Sequence, residues 1–188
     1  MADLPRADPW RGLALPQLPG LLTLTPHGDA ARLSLRGEAA SLAPLGAALG
    51  LVLPTTPCRA ATSGTRAALW LGPDEWLILT PPDDPVRDTL AAAIPAGAGA
   101  LVDISHRQAA LTISGPAATE VLNAGCPLDL DPCVFAVGMC TRTICGKASI
   151  VLWRQAMETF HFEVGRSFAA YAAGLLSAAA RLAARRAG

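Results

Sequence analysis

The pattern Leu33-x-Leu35-x-Gly37-x-Ala39-Ala40 returns as Leu111-x-Ile113-x-Gly115-x-Ala117-Ala118, at an offset of 78 residues (Gly37 to Gly115). A repeat at that spacing in a chain of 188 residues implies two copies of one supersecondary unit. It restricts the fold to architectures built from two similar lobes. In each copy, apolar residues first alternate with polar ones, as on a half-buried strand, and then give way to small residues that suit a helix start.

The segments that follow keep the same order in both halves. Residues 31–37 read as a strand, 38–49 as a short helix, and 66–71 and 76–80 as two strands joined by Gly72-Pro73-Asp74-Glu75, residues suited to a tight turn. Pro85 stands where a first helical turn accepts proline, and Val86, Leu90 and Ala93 share one face until Pro95. In the second half, 109–114 alternates as a strand, Ser114 is placed to cap a helix over 116–124, and Gly125 lies just past its end. Residues 141–145, 149–153 and 159–164 read as three further strands. Ser167 opens a final helix on which Phe168, Tyr171, Ala172, Leu175, Leu176, Ala179 and Leu182 recur at helical spacing, with Arg181, Arg185 and Arg186 near the negative end of its dipole. Laying these helices on one face of small antiparallel sheets buries the apolar side of both. The expected fold is therefore α+β, two ferredoxin-like βαββα lobes related by internal duplication. Residues 1–20, where Trp10 and several leucines are interrupted by Pro5, Pro9, Pro16 and Pro19, form an extended amino-terminal arm; 21–99 form the first lobe, and 100–188 the second lobe with its long carboxy-terminal helix.

A hydrophobic fraction of 52% is ample for such a core. Fifteen basic residues balance fifteen acidic ones, so there is no overall field to gather nucleic acid or anionic membrane. No stretch reaches the roughly 18 uninterrupted apolar residues of a membrane span, and the early prolines break any signal-like segment. The five cysteines, Cys58, Cys126, Cys133, Cys140 and Cys145, are odd in number, and reduced thiols in a cytoplasmic protein are the expectation.

The densest polar cluster is Asp103-Ile104-Ser105-His106-Arg107, which holds an acid, a hydroxyl, a base and a cation between two strands. Adjacent positions do not by themselves aim an imidazole at a substrate proton, so a loop histidine bonded to backbone is the reading that weighs more. The second-half cysteines follow C-x6-C-x6-C-x4-C, which lacks the close C-x2-C pair of a zinc knuckle or iron–sulfur site. No glycine run matches a phosphate-binding or dinucleotide-binding loop. Trp10, Trp70, Trp76 and Trp153 fit core or interface packing, and Arg107, Arg142, Arg154 and Arg166 fit solvated strand ends and salt bridges. No catalytic, cofactor-binding or metal residue is assigned. Trp10, Asp103, His106 and Arg107 are the candidates for contact with a partner.

The second half also carries long strings of a known family. Asp103-Ile104-Ser105-His106-Arg107-Gln108, Ser114-Gly115-Pro116-Ala117-Ala118, Ala124-Gly125-Cys126-Pro127-Leu128-Asp129-Leu130, Val137-Gly138-Met139-Cys140-Thr141-Arg142-Thr143, Ile150-Val151-Leu152-Trp153-Arg154 and Phe162-Glu163-Val164 resemble the gamma subunit of heterotetrameric sarcosine oxidase, and Trp70-Leu71-Gly72-Pro73-Asp74-Glu75-Trp76-Leu77 extends the resemblance into the first half. More distantly, the frame resembles the folate-binding aminomethyltransferase of the glycine cleavage system, with Ser149-Ile150 where those enzymes carry an acidic pair. The resemblance implies a non-catalytic, structural subunit with alpha, beta and delta partners. It implies a complex that converts sarcosine, oxygen and water to glycine, hydrogen peroxide and formaldehyde, or methylene-tetrahydrofolate, with FAD, FMN, NAD, zinc and tetrahydrofolate on other subunits. Two other readings stand beside it: a free-standing folate-binding module or aminomethyltransferase-like protein, and a thiol or metal enzyme.

Overall fold

A computed structural model of the chain describes residues 8–38 and 41–188. Pro5 of the arm and the repeat positions Ala39 and Ala40 lie outside them. The chain folds into two compact units, one made of Asp29–Ser105 with Gly138–Thr141, the other of the segment up to Gly28 with His106–Val137 and Arg142–Gly188. Each is built on one antiparallel sheet.

In the first unit, β3 (Ala31–Gly37), β4 (Ala60–Ser63), β5 (Arg66–Gly72), β6 (Glu75–Thr80) and β7 (Gly99–Asp103) form a sheet of order β4-β5-β6-β3-β7, with helices α1 (Leu42–Leu49) and α2 (Val86–Ala93). Leu35 stands opposite Trp76, and Leu33 opposite Ile78. These four residues bury with Leu45 and Leu49 of α1 and Val86 and Leu90 of α2 in one apolar core. The helix periodicity thus served its expected purpose. Helix α1 ends because Gly50, at φ 75°, turns left-handed and gives its N–H to the carbonyls of Gly46 and Ala47.

In the second unit, β1 (Gln17–Leu18), β2 (Leu22–Pro26), β8 (Gln108–Ser114), β9 (Cys140–Cys145), β10 (Ala148–Ala156) and β11 (Thr159–Gly165) form a sheet of order β1-β2-β8-β11-β10-β9, accompanied by α3 (Ala118–Asn123) and α4 (Ala169–Ala187). Ile113 faces Phe160 and Leu111 faces Phe162, the counterparts of Leu35–Trp76 and Leu33–Ile78. The α+β duplication read from the sequence is present in the two sheets, with β1 as an added edge strand in the second.

The division between the lobes shifts, for a reason that hydrogen bonding makes plain. A sheet strand needs a neighbour on its open side. Strand β7, which the sequence placed at the head of the second lobe, pairs with β3, bringing Leu101 opposite Leu35. Strand β2, placed in the first lobe, pairs with β8, bringing Leu24 opposite Ile113. The amino-terminal segment therefore supplies to the second sheet the strand that β7 supplies to the first. Each unit runs βαβββα, with β4 and β9 as a strand more between the helices than the expected βαββα, and is completed by one further strand, β7 in the first and β2 in the second.

Two local expectations also change. Ser114 does not cap α3, whose N-cap position is Ala117 without a side-chain bond. On α4 the buried stripe is Ala169, Ala172, Ala173, Leu176, Ala179, Ala180 and Ala183, while Phe168, Tyr171 and Leu182 are 42%, 40% and 56% exposed. Small side chains let the helix axis approach the sheet closely, so the larger residues flank the contact. Helix α4 with its preceding turn is long and apolar enough to cross a bilayer by length and composition; its alanine face is used inside the unit instead. The arm lies against this helix, with Ser177 Oγ donating to the Ala14 carbonyl at 3.2 Å and Trp10 buried at 3% exposure.

Candidate functional site

The loop after β7 spends its polar groups on its own conformation. Asp103 Oδ1 accepts from the Ser105 N–H at 2.9 Å and from Ser105 Oγ at 2.6 Å, and its other oxygen accepts from Arg87 Nη1 at 3.3 Å. Ser105 Oγ in turn accepts from the Arg32 N–H at 2.9 Å. The acid and hydroxyl thereby fix the single 3-10 turn Ser105–Arg107, whose His106 and Arg107 are exposed. Of the four residues singled out for partner contact, His106 and Arg107 display their side chains, Asp103 is half-buried and internally bonded, and Trp10 is buried.

A second polar group is one the sequence analysis did not single out. On β11, His161 and Glu163 are two apart and so project from the same face of the strand. They are buried at 4% and 1% exposure. His161 stands opposite Trp153 of β10 and Thr112 of β8, while Phe160, Phe162 and Val164 project from the other face into the core. His161 Nε2 is 2.8 Å from Glu163 Oε1. The His27 ring meets that of His161 edge-on at 4.8 Å between centroids, and its Nε2 lies 2.7 Å from Thr112 Oγ1. His161 Nδ1 and Trp153 Nε1 find no hydrogen-bond partner among the described residues. The alternation Phe160-His161-Phe162-Glu163-Val164 held the signal: two titratable residues at strand spacing between core aromatics. With side chains 5% and 1% exposed, this imidazole and carboxylate are each other's polar contact inside the sheet.

Arg154 departs from the expected solvated strand end. Its side chain is fully buried, stacked 4.6 Å over the Phe160 ring, and it donates from Nη1 to the Met157 carbonyl at 3.1 Å and from Nη2 to the Leu130 carbonyl. Burial lowers its pKa, partly offset by Asp131, but a guanidinium remains charged. Arg154 therefore anchors the loop that carries Leu130 to the end of β10.

The strand-to-helix turn before α3 is where a nucleotide-binding fold presents backbone N–H groups to phosphate. Here that space is filled by the chain itself: the Ala117 N–H donates to the Leu21 carbonyl at 3.1 Å, and a Cβ on Gly115 would stand 2.4 Å from the same oxygen. The backbone N–H groups of Ala117 and Ala118 are thus both spent within the chain. Of Ser149-Ile150, the pair that the resemblance sets against the aminomethyltransferase acids, Ser149 is exposed and Ile150 is buried in the core. Among the described residues, no three His, Cys, Asp or Glu side chains are arranged to hold a metal ion.

Comparison with known proteins decides what this arrangement belongs to. The family model for the sarcosine oxidase gamma subunit matches residues 28–181. The chain belongs to the sarcosine oxidase gamma subunit family. Curated gamma subunits from an Arthrobacter species and from Corynebacterium sp. strain U-96 are 38% and 37% identical over 121 and 128 residues, covering 63% and 67% of this chain. Those matches span 59% and 62% of the relatives' own lengths, less than two thirds of either. Among solved structures, a chain of the heterotetrameric sarcosine oxidase from Corynebacterium sp. U-96, in complex with pyrrole 2-carboxylate, superposes with a TM-score of 0.85 at 30% identity, covering 93% of this chain and 94% of that one. The glycine cleavage system aminomethyltransferase T from Bartonella henselae shares the fold at a TM-score of 0.64 and 13% identity, over 84% of this chain and 45% of that one. The chain thus shares its overall fold with that aminomethyltransferase.

Proposed function

We propose that this chain is a non-catalytic, structural gamma subunit of a heterotetrameric sarcosine oxidase, assembled with alpha, beta and delta subunits in the cytoplasm. The observation that carries the reading is the superposition on a chain of the Corynebacterium oxidase over nearly the whole of both chains. The complex would oxidise sarcosine with oxygen and water to glycine and hydrogen peroxide, releasing formaldehyde or passing the one-carbon unit to tetrahydrofolate. FAD, FMN, NAD, zinc and tetrahydrofolate would be held by the other subunits.

Surface chemistry supports an assembly role. Around α1, residues 39–58 contain no charged side chain. A groove of about 650 Å³ runs along that helix between Leu42, Gly46, Leu51 and Leu53, beside Val52, which is 85% exposed. An aliphatic residue held in water next to an uncharged groove suits burial against a larger subunit. His106 and Arg107, exposed on their turn, are the polar candidates for the same role.

The test is affinity purification of the tagged chain from its native cells, with mass spectrometry of co-purifying proteins and a sarcosine-dependent peroxide assay. Flavin-bearing subunits and peroxide production are expected in the purified complex, with the isolated chain colourless and inactive. A chain that purifies alone and binds folate would overturn the reading.

A further inference from the structure

Four of the five cysteines stand in neighbouring pairs, and one pair is built differently from the other. Cys126 and Cys145 are both sealed, at 4% and 1% exposure. Cys58 and Cys140 combine a half-buried thiol with a fully buried one. Their backbones meet directly: the Cys140 N–H donates to the Cys58 carbonyl at 2.9 Å, and the Ala60 N–H to the Gly138 carbonyl at 2.9 Å, flanking an isolated antiparallel bridge between Arg59 and Met139. Backbone dimensions and that 2.9 Å bond hold the two Cα atoms within about 6.8 Å of each other, the upper end of the range a disulfide spans. Because the bridge is a single residue pair, the backbone there has room for the small approach a sulfur–sulfur bond requires.

Cys58 has a second distinguishing feature. At φ 59° it is the one non-glycine residue with positive φ among those described, a conformation ordinarily left to glycine, asparagine or aspartate. It is held there opposite Cys140, whose Sγ donates weakly to the Trp70 carbonyl at 3.6 Å.

From this geometry we infer that Cys58 and Cys140 are a latent disulfide, a peroxide-driven modification site that cross-links the start of β9 to the turn before β4. Hydrogen peroxide oxidises the more accessible Cys58 thiol to a sulfenic acid with release of one water. The Cys140 sulfur then attacks the Cys58 sulfur, its proton leaving with the hydroxyl as a second water. The balance is two thiols and one peroxide to one disulfide and two waters. Burial, with the neighbouring Cys58 adding to it, pushes the Cys140 thiol up to about 12, which makes it the resolving partner and not the first to react, and makes closure slow. Cys133 is exposed, but its pKa is raised by its hydrogen bond to Asp131, and it has no thiol neighbour of this kind among the described residues.

The experiment is peptide mapping of the full-length native chain after graded hydrogen peroxide, with free thiols blocked by N-ethylmaleimide and digestion under non-reducing conditions. The expected product is a linked pair of peptides containing Cys58 and Cys140, lighter by two hydrogens than the sum of the reduced peptides and separated by reductant. Cys140→Ser is expected to leave Cys58 over-oxidised to sulfinic acid, and Cys58→Ser to leave Cys140 blocked only after denaturation. Oxidation confined to Cys133, or a Cys126–Cys145 link forming in preference, overturns the inference. The Cys58–Cys140 link and the two overturning outcomes are all read from the wild-type chain, so a variant that fails to fold does not obscure the answer.

Discussion

His161 Nε2 and Glu163 Oε1 lie 2.8 Å apart on one face of β11, the imidazole 5% and the carboxylate 1% exposed. Removing one member of such a buried pair leaves the other without compensation, whereas removing both takes away the desolvation penalty along with the attraction. Glu163→Ala is expected to destabilise the chain by about 3–5 kcal/mol, and Glu163→Gln, which retains an acceptor oxygen, by only about 1–2 kcal/mol. The double variant His161→Phe with Glu163→Leu should be milder than Glu163→Ala alone. Urea unfolding monitored by tryptophan fluorescence gives all three values, and a double variant at least as destabilised as Glu163→Ala would overturn the prediction.

The Arg66–Asp84 pair makes a prediction about pH. Arg66 Nε and Nη2 each donate to one oxygen of Asp84 at 2.7 Å, and Asp84 Oδ1 also accepts from the Val86 N–H at 2.9 Å, at the start of α2. The side-chain bond from Arg66 is the largest influence holding the Asp84 pKa below its ordinary value, against a smaller desolvation effect in the other direction. A carboxylate whose folded pKa is depressed contributes stability that is complete above its unfolded pKa and disappears as pH falls through the folded one. The stability gap between wild type and Asp84→Asn should therefore be constant near neutrality, at about 1–3 kcal/mol, and shrink below about pH 4. A gap unchanged down to pH 2 would show that the carboxylate charge is not what α2 depends on.

Two glycines should respond to alanine in opposite directions. Gly115 has φ 121°, and an added Cβ would stand 2.4 Å from the Leu21 carbonyl oxygen, so Gly115→Ala must push β2 away from the turn before α3 and lose about 3 kcal/mol or more. Gly174 lies within α4 with open space where a Cβ would go, so Gly174→Ala should add about 0.5–1 kcal/mol through helix propensity. Thermal unfolding of the two variants, one melting below wild type and one above, checks both.

The duplication was legible because its strands carry core residues at period two: Leu33 and Leu35, and Leu111 and Ile113, all face helices and all are buried. Strand exchange was not legible, because nothing in Leu22–Pro26 or Gly99–Asp103 names its pairing partner; sheet membership is settled by which edge lacks a neighbour, a property of the folded sheets. The alanines of α4 were read as one part of a wider face, since periodicity does not report how closely two elements approach. Asp103 and His106 drew attention as adjacent polar residues, although adjacency on a loop places side chains in different directions. His161 and Glu163 escaped notice because a carboxylate and an imidazole inside an aromatic strand look like the exposed face of an alternating one, and only the burial of both faces of β11 shows otherwise.

If the groove along α1 meets a larger subunit, Val52 is the residue at which folding and assembly separate. Its side chain is 85% exposed, so Val52→Asp should leave the stability of the isolated chain within about 0.5 kcal/mol of wild type. At an interface the same aspartate would bury a charge against apolar surface, and one such truncation or charge at a central position commonly removes 2 kcal/mol or more, about thirtyfold in affinity. Tagged Val52→Asp is therefore expected to fold normally and to recover far less of the flavin-bearing subunits than wild type at matched expression. His106→Ala, placed on the exposed turn after β7, tests the polar candidate in the same assay. Undiminished recovery with Val52→Asp would move the interface away from α1.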